Sequence, residues 1–414
     1  MPQWSEYSTG QRIKILRGRN LTQTELAEAT GLTVDTIARA ERDVALTLPT
    51  LLAVSAALHA DVSVIVGQQA PRRAVTRQDR RVLQTLSRTV HDTAAGILPS
   101  TVDEPPTLEE LRTITGTAWD QYWAGNYVEA GAVAAPFLQN AVVRLHAQPA
   151  GQQAEAWSVL SDAYRISAYV ANLLGSRDLA YAAIGHAHKA AEQAADPMRA
   201  ALVDSGRAWV YLRDARLEDA LNLATKAAMD IEPRFSAATP EELVVYGSHV
   251  NFAAVVASRK DDGVRAGDFL SQSHAIGTRL GNECRAYGTL FGPVTATTQA
   301  VGIKVALGET GTALSLADSI HDVSGLQGAA RNRYALDKAM AQADAKMWDS
   351  SLETLEEVCR EAPEWVRHQA LPGVIAEKIS LGSTARVRQI SELLGVVATP
   401  YGQSFAPANR RTAL

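Results

Sequence analysis

The side chains able to do covalent or metal chemistry in this 414-residue chain are scattered, and their spacing argues against catalysis. No phosphate-binding glycine loop, His-Glu-x-x-His or Cys-x-x-Cys is present. His186 and His188 stand two apart in a helical stretch, so their rings diverge and make a poor metal pair. Asp261-Asp262-Gly263 begins like a calcium loop, but the later carboxylates miss the EF-hand spacing; the run reads as a turn between paired helices. Cys284 and Cys359 alone allow neither a disulfide framework nor a four-thiolate zinc site. No enzyme, metal or cofactor is expected. Non-covalent recognition is open to Arg165, Arg213, Asn251, Arg259 and Arg333. An Asn amide can bracket a peptide backbone with one donor and one acceptor, and an Arg can clamp a carboxylate. Plain solvated positions are the alternative for each of the five.

The elements that must position these groups are helices, and the expected fold is all-α. Residues 10–66 read as five short ones. The first spans Gly10 to Arg17. The second follows Thr22, an N-cap with Glu25 at capping-box spacing, and ends at Gly31, a residue free to take the left-handed turn. Thr33 caps a third, from Val34 to about Arg42, with Ile37, Ala38 and Glu41 at helical spacing. Pro49 suits the first turn of a fourth, to His59, with Leu52, Ala53, Ala56 and Ala57 inward. A short apolar fifth runs from Val62 to Val66.

The segment Leu21-Thr22-Gln23-Thr24-Glu25-Leu26-Ala27, followed by Gly31-Leu32-Thr33-Val34-Asp35-Thr36-Ile37-Ala38-Arg39-Ala40-Glu41, resembles the Xre/Cro family of bacterial and phage regulators. The resemblance covers residues 10–66 and includes Leu51 to Leu58. It implies a five-helix, lambda-repressor-like helix-turn-helix domain that binds double-stranded DNA. Such a domain lays its second motif helix, here the one beginning at Val34, in the major groove. On that basis Val34 offers apolar contact to a thymine methyl, Asp35 accepts from a cytosine amino group, and Arg39 forks onto guanine. Gln23 takes the family's phosphate-anchoring place at a helix N-terminus. Thr33 and Thr36 are phosphate or capping contacts, and Arg42 borders the loop along the backbone. Asp35 is also favoured simply by the helix dipole, and Glu41 is suited to pairing with Arg17. The family often has Gly two residues after this Glu. This chain has Asp43, so the helix is expected to end differently, which bears on Arg42.

Residues 67–107 read as a connector with an arginine-rich helix from about Val75 to Val90. Val75, Val82, Leu86 and Val90 share a stripe. The helix either docks on a neighbour, forms a dimer, or brings Arg72, Arg73 or Arg77 to phosphates. From 108 onward helix follows helix. A small residue, an apolar one four on, and a small or apolar one three further recur at Ala180, Ala220, Ala266, Ala313 and Ser351, with a degenerate copy at Ala130. Stacked helical hairpins produce this pattern, because no pair buries its face alone; an irregular helical bundle is the alternative. Trp157, Leu160 and Tyr164, with Ala180 opening the next helix, resemble tetratricopeptide repeats. The expected organisation is thus a 1–66 DNA-binding domain, a 67–107 connector and a 108–414 tetratricopeptide-like α-solenoid, capped by Val387 to Leu394.

The joint layout resembles peptide-sensing regulators, including those of quorum sensing, and actinobacterial regulators of the same plan. It implies a homodimeric transcriptional regulator whose repeat groove holds a peptide or small molecule. The alternative is a DNA-tethered scaffold whose repeats capture a protein partner. Composition agrees: 46% hydrophobic and 6% aromatic residues favour packed helices. No uninterrupted 18-residue apolar stretch or signal peptide is found, so a cytoplasmic protein with no membrane partner is expected. Net charge is −5 overall, but residues 1–66 carry −1, residues 67–93 carry +4, and the remainder −8. DNA affinity must therefore come from the placement of a few arginines.

Overall fold

The computed structural model describes residues 7–18, 21–44, 46–58, 60, 62–66, 77–97 and 105–382. Val75, Arg72, Arg73 and the expected Val387–Leu394 cap lie outside them, as does the side chain of Arg77.

The N-terminal bundle comprises α1 (Thr9–Arg17), α2 (Gln23–Thr30), α3 (Val34–Ala40), α4 (Leu48–Ala57) and α5 (Val62–Ile65). Local chemistry sets these boundaries. Ser8 and Thr22 each close a reciprocal capping box, with Gln11 and Glu25. Gly31 ends α2 at φ +68°, and Thr33 caps α3 by accepting from the Thr36 amide. The α3 helix stops at Ala40, short of the expected Arg42. Asp43 turns the chain at φ +60° and accepts hydrogen bonds from the Ser8 hydroxyl and the Gly10 amide. The carboxylate stabilises a left-handed turn that Gly would make without strain. Ile13, Leu26, Ile37, Leu51, Val54 and Ile65 form the bundle core.

The rest of the chain is built mainly from antiparallel helix pairs. A leading helix, α6 (Arg77–Ala94), precedes α7 (Leu108–Ala124) and α8 (Tyr127–Ala147), then α9 (Ala154–Leu173) and α10 (Arg177–Ala194). Next come α11 (Pro197–Arg213) and α12 (Leu217–Asp230), then α13 (Pro240–Arg259) and α14 (Gly263–Leu280). A two-stranded antiparallel hairpin, β1 (Cys284–Ala286) and β2 (Thr289–Phe291), interrupts the series, with Arg285 opposite Leu290. It continues with α15 (Pro293–Ala306) and α16 (Thr310–Ser319), then α17 (Gly328–Asp344) and α18 (Trp348–Glu361). The short α19 (Pro363–Arg367) and α20 (Leu371–Gly382) complete the described residues.

The recurring small-apolar signature falls on the second helix of each pair, facing the shared core. Ala130, Ala180, Ala220, Ala266, Ala313 and Ser351 are each completely buried. Their small side chains let neighbouring helices approach closely. Ile320 alone departs, since α16 ends before it and it is half-buried at the C-cap. The sequence stripe of α6 packs down: Leu86 and Val90 are buried against the body, and Thr93 meets the Tyr164 hydroxyl at 3.0 Å. Gly131 permits the crossing, because a Cβ there would lie 2.3 Å from Val82. The connector helix is therefore docked on its own chain.

Two long-range features were absent from the sequence reading. The series closes on itself, with α17 touching α7, Glu364 accepting from the Val128 amide at 3.3 Å, and Tyr127 meeting His368 edge-on at 5.5 Å between ring centres. The hairpin meanwhile reaches across the interior to α7, where Arg285 pairs with Asp120 at 3.0 Å. The contact between the ends and the inward hairpin consequently turn the expected groove into a partly enclosed chamber.

Candidate nucleic-acid interface and interior cavity

The N-terminal end of α3 faces outward. Val34 is 42% exposed, the Asp35 side chain 74% and the Arg39 side chain 47%. Arg39 and Asp35 approach to 4.0 Å, one turn apart. Such an exposed pair is worth less than ~1 kcal/mol and yields readily to a better acceptor. Ile37 and Ala40 on the opposite side anchor the helix in the bundle. The same helix thus has a fixed inner face and a solvated outer one offering an apolar contact, an acceptor and a guanidinium fork.

The remaining candidates are more constrained. The Thr33 hydroxyl is spent on the cap and lies 2.8 Å from that of Thr36. Arg42 is exposed, but its Nε donates to the Ala38 carbonyl at 3.0 Å, extending the end of α3. Gln23 donates from Nε2 to Glu41 at 2.7 Å. Glu41 also receives Arg17 at 2.5 Å, the pairing expected from the sequence. Burial works to raise the Glu41 pKa, but the Arg17 and Gln23 hydrogen bonds and the Arg17 charge outweigh it and leave the carboxyl below its ordinary range. Glu41 therefore ties α3 to α1 and to the start of α2, fixing the angle at which α3 projects.

A helix-turn-helix family model matches residues 13–65. The chain carries a DNA-binding domain of the kind found in transcription regulators. No curated protein matches the chain, and no helix among the described residues is long and apolar enough to cross a membrane.

A second site lies inside. Arg165, Arg213, Asn251, Arg259 and Arg333 all line one cavity of about 500 Å³, walled chiefly by the first helices of the pairs. The five are not alike. Arg165 is 2% exposed, pairs with Asp162 at 3.2 Å and donates to the Tyr287 carbonyl at the hairpin tip. Asn251 is buried and accepts from Ser273 at 3.1 Å. Arg333 pairs with Asp337 at 3.1 Å. Arg213 and Arg259 are half-buried on the lining.

Sequence reading missed the aromatic wall between them. Trp119, Tyr122, Trp123, Tyr169 and Trp209 make successive ring contacts at 5.0–6.2 Å, and the Arg165 guanidinium sits 4.6 Å over Trp119. Nine aromatic residues line the cavity in a chain with 7 Trp, 11 Tyr and 6 Phe. The close spacing of Trp119, Tyr122, Trp123 and Tyr127 was the available signal. The hairpin tip completes the wall: Trp123 Nε1 donates to the Gly288 carbonyl at 2.8 Å. Tyr287 and Gly288 both have positive φ, +49° and +76°, as a two-residue turn of this type demands.

One wall comes from the DNA-binding bundle. Leu48, Leu52, Ser55, Ala56 and Val62 line the cavity, and α4 touches α13 and α15. This corrects the expected inner face of α4. Leu51, Val54 and Ser55 are buried, while Leu52, Ala53, Ala56 and Ala57 are half-buried. The helix is apolar nearly all round because it is sandwiched between two neighbours. At the other side of the bundle, Thr9 donates to Glu377 of α20 at 3.1 Å. Burial first, then Asp43 nearby, pushes the Glu377 carboxyl up to about 7. Among the described residues no cluster of His, Cys, Asp and Glu could hold a metal ion, and His188 is turned to Asp204 at 3.1 Å.

Proposed function

We propose that the protein is a signal-responsive transcriptional regulator, with residues 1–66 reading an operator, 67–107 connecting, and the tetratricopeptide-like region 108–414 sensing a peptide or small molecule and supporting a homodimer. The exposed N-terminal end of α3, on a bundle that matches a helix-turn-helix family, carries this reading. Val34, Asp35 and Arg39 read base edges. Gln23, Thr33, Thr36 and Arg42 position the domain on the phosphates, with backbone amides at the helix ends doing much of that work. A second copy adds a half-site about 34 Å away along the duplex. This compensates for a bundle whose own charge is −1.

The test is selection of bound duplexes from a random library by the full chain and by Arg39→Ala. Wild type should enrich a two-fold-symmetric sequence. The variant should bind it roughly 10-fold or more weakly, the loss of about 1–3 kcal/mol typical of one bidentate base contact. Equal binding by the variant would show that α3 does not read the bases.

A further inference from the structure

We infer that the interior cavity is a binding site for a compact organic anion with a flat apolar body, and that α4 forms part of its wall. The inference rests on the reading of the repeat region as the sensing part and names what it senses. Among the described residues lining the cavity, the charged ones are four arginines and a single carboxylate, Asp337. Neither Lys nor Glu contributes, and with Arg165 paired to Asp162 and Arg333 to Asp337 the lining presents guanidinium N–H donors among stacked rings. Such a surface suits a planar molecule bearing a carboxylate, sulfonate or similar group.

Two donors in it are left without acceptors. Trp119 Nε1 and Arg165 Nε are buried with no hydrogen-bond partner, although the residues are 4% and 2% exposed. A buried donor left unmade carries a desolvation cost, which an acceptor-rich ligand would recover. Arg213 is the anion's expected partner. It is half-buried on the lining, its guanidinium lies 5.9 Å over Trp209, and its charge reaches Tyr122 and Tyr127.

Size and shape favour a compact ligand over an extended peptide. A volume of about 500 Å³ is in the small-molecule range. A seven-residue extended segment needs about 23 Å of open groove, and here the hairpin tip crosses the interior and the two ends of the helix series meet.

The experiment uses two probes on the full chain, 1-anilinonaphthalene-8-sulfonate and its neutral counterpart N-phenyl-1-naphthylamine, followed by fluorescence titration. The sulfonate should saturate one site per chain and bind at least 10-fold tighter than the neutral probe. Arg213→Gln should erase that preference. Trp119→Phe, which keeps a ring and removes the N–H, should weaken the sulfonate several-fold, and Leu52→Trp should block both probes by filling the α4 wall. Melting curves for each variant establish that it is folded. The inference is overturned by equal affinity for the two probes, by binding that does not saturate, or by folded Arg213→Gln and Leu52→Trp proteins that bind like wild type. Failure of the sensing reading looks different: the sulfonate binds as described, yet affinity for the selected duplex is the same with and without it.

Discussion

The outer face of α3 and the interior cavity use the same residue types under opposite conditions. Arg39 stands half in water, loosely paired with Asp35, whereas Arg165 lies almost wholly buried over an indole with its charge matched by Asp162. On the surface an arginine costs little to hold and is free to fork onto a base edge or phosphate, which suits a long, highly charged, solvated partner. Inside, each polar atom must be satisfied or carry a desolvation cost, so a site of this kind would discriminate by shape and by hydrogen-bond inventory. One element belongs to both regions. The α4 helix buries Leu51 and Val54 in the core that supports α3 and turns Leu52 and Ala56 to the cavity. On the proposed function, a ligand in the cavity would therefore act on the support of α3 directly, with no relay through the other helix pairs.

The comparison can be broken most severely at Glu41. Removing this carboxylate by Glu41→Ala strands Arg17 and Gln23 around a partly buried space, and a broken buried pair costs about 3–5 kcal/mol. DNA binding should be lost and the first thermal transition lowered. A folded variant that still selects the wild-type duplex would mean α3 is held by packing alone. Gly131→Val should come next. Its side chain would invade the space of Val82, lifting α6 from the body and lowering thermal stability by about 1–3 kcal/mol, the usual range for overpacking. The variant should leave the α3 surface untouched and bind an operator half-site normally.

Thr33→Ala is milder. It removes the α3 cap at a cost of about 1 kcal/mol together with the proposed phosphate contact, and should weaken DNA binding by more than the loss of bundle stability, measured by denaturant titration, accounts for.

A fourth effect is on pH. Glu377 has a folded pKa raised to about 7, above the ordinary value of 4.5. Burial favours the protonated form, so the stability contributed by docking Glu377 against the bundle falls as pH rises from about 4.5 through about 7 and is flat above. Glu377→Gln should remove this dependence, read as the slope of melting temperature against pH.

Local chemistry made the bundle legible. The capping boxes, the left-handed Gly31 and the Arg17–Glu41 tie all follow from residues within one or two turns, or from one helix facing another at fixed spacing. The five polar candidates of the cavity were likewise legible from repeat phase, since the first helix of each pair must face inward. What escaped is set by distance along the chain. Meeting of residues near 125 and 365 depends on the curvature summed over every pair. The inward sweep of the hairpin depends on Trp119 and Trp123, more than 160 positions earlier. The double face of α4 was visible as a helix with no polar side, although its second neighbour could not be named from sequence.

The sharing of α4 is tested most directly by titrating 1-anilinonaphthalene-8-sulfonate into the full chain with and without a saturating amount of the selected duplex. Two ligands coupled through one element must alter each other's affinity by the same factor. The account predicts a change in sulfonate affinity of at least about 5-fold, equivalent to about 1 kcal/mol of coupling, together with an equal change in duplex affinity at saturating sulfonate. Unaltered affinities, with both ligands bound at once, would contradict it.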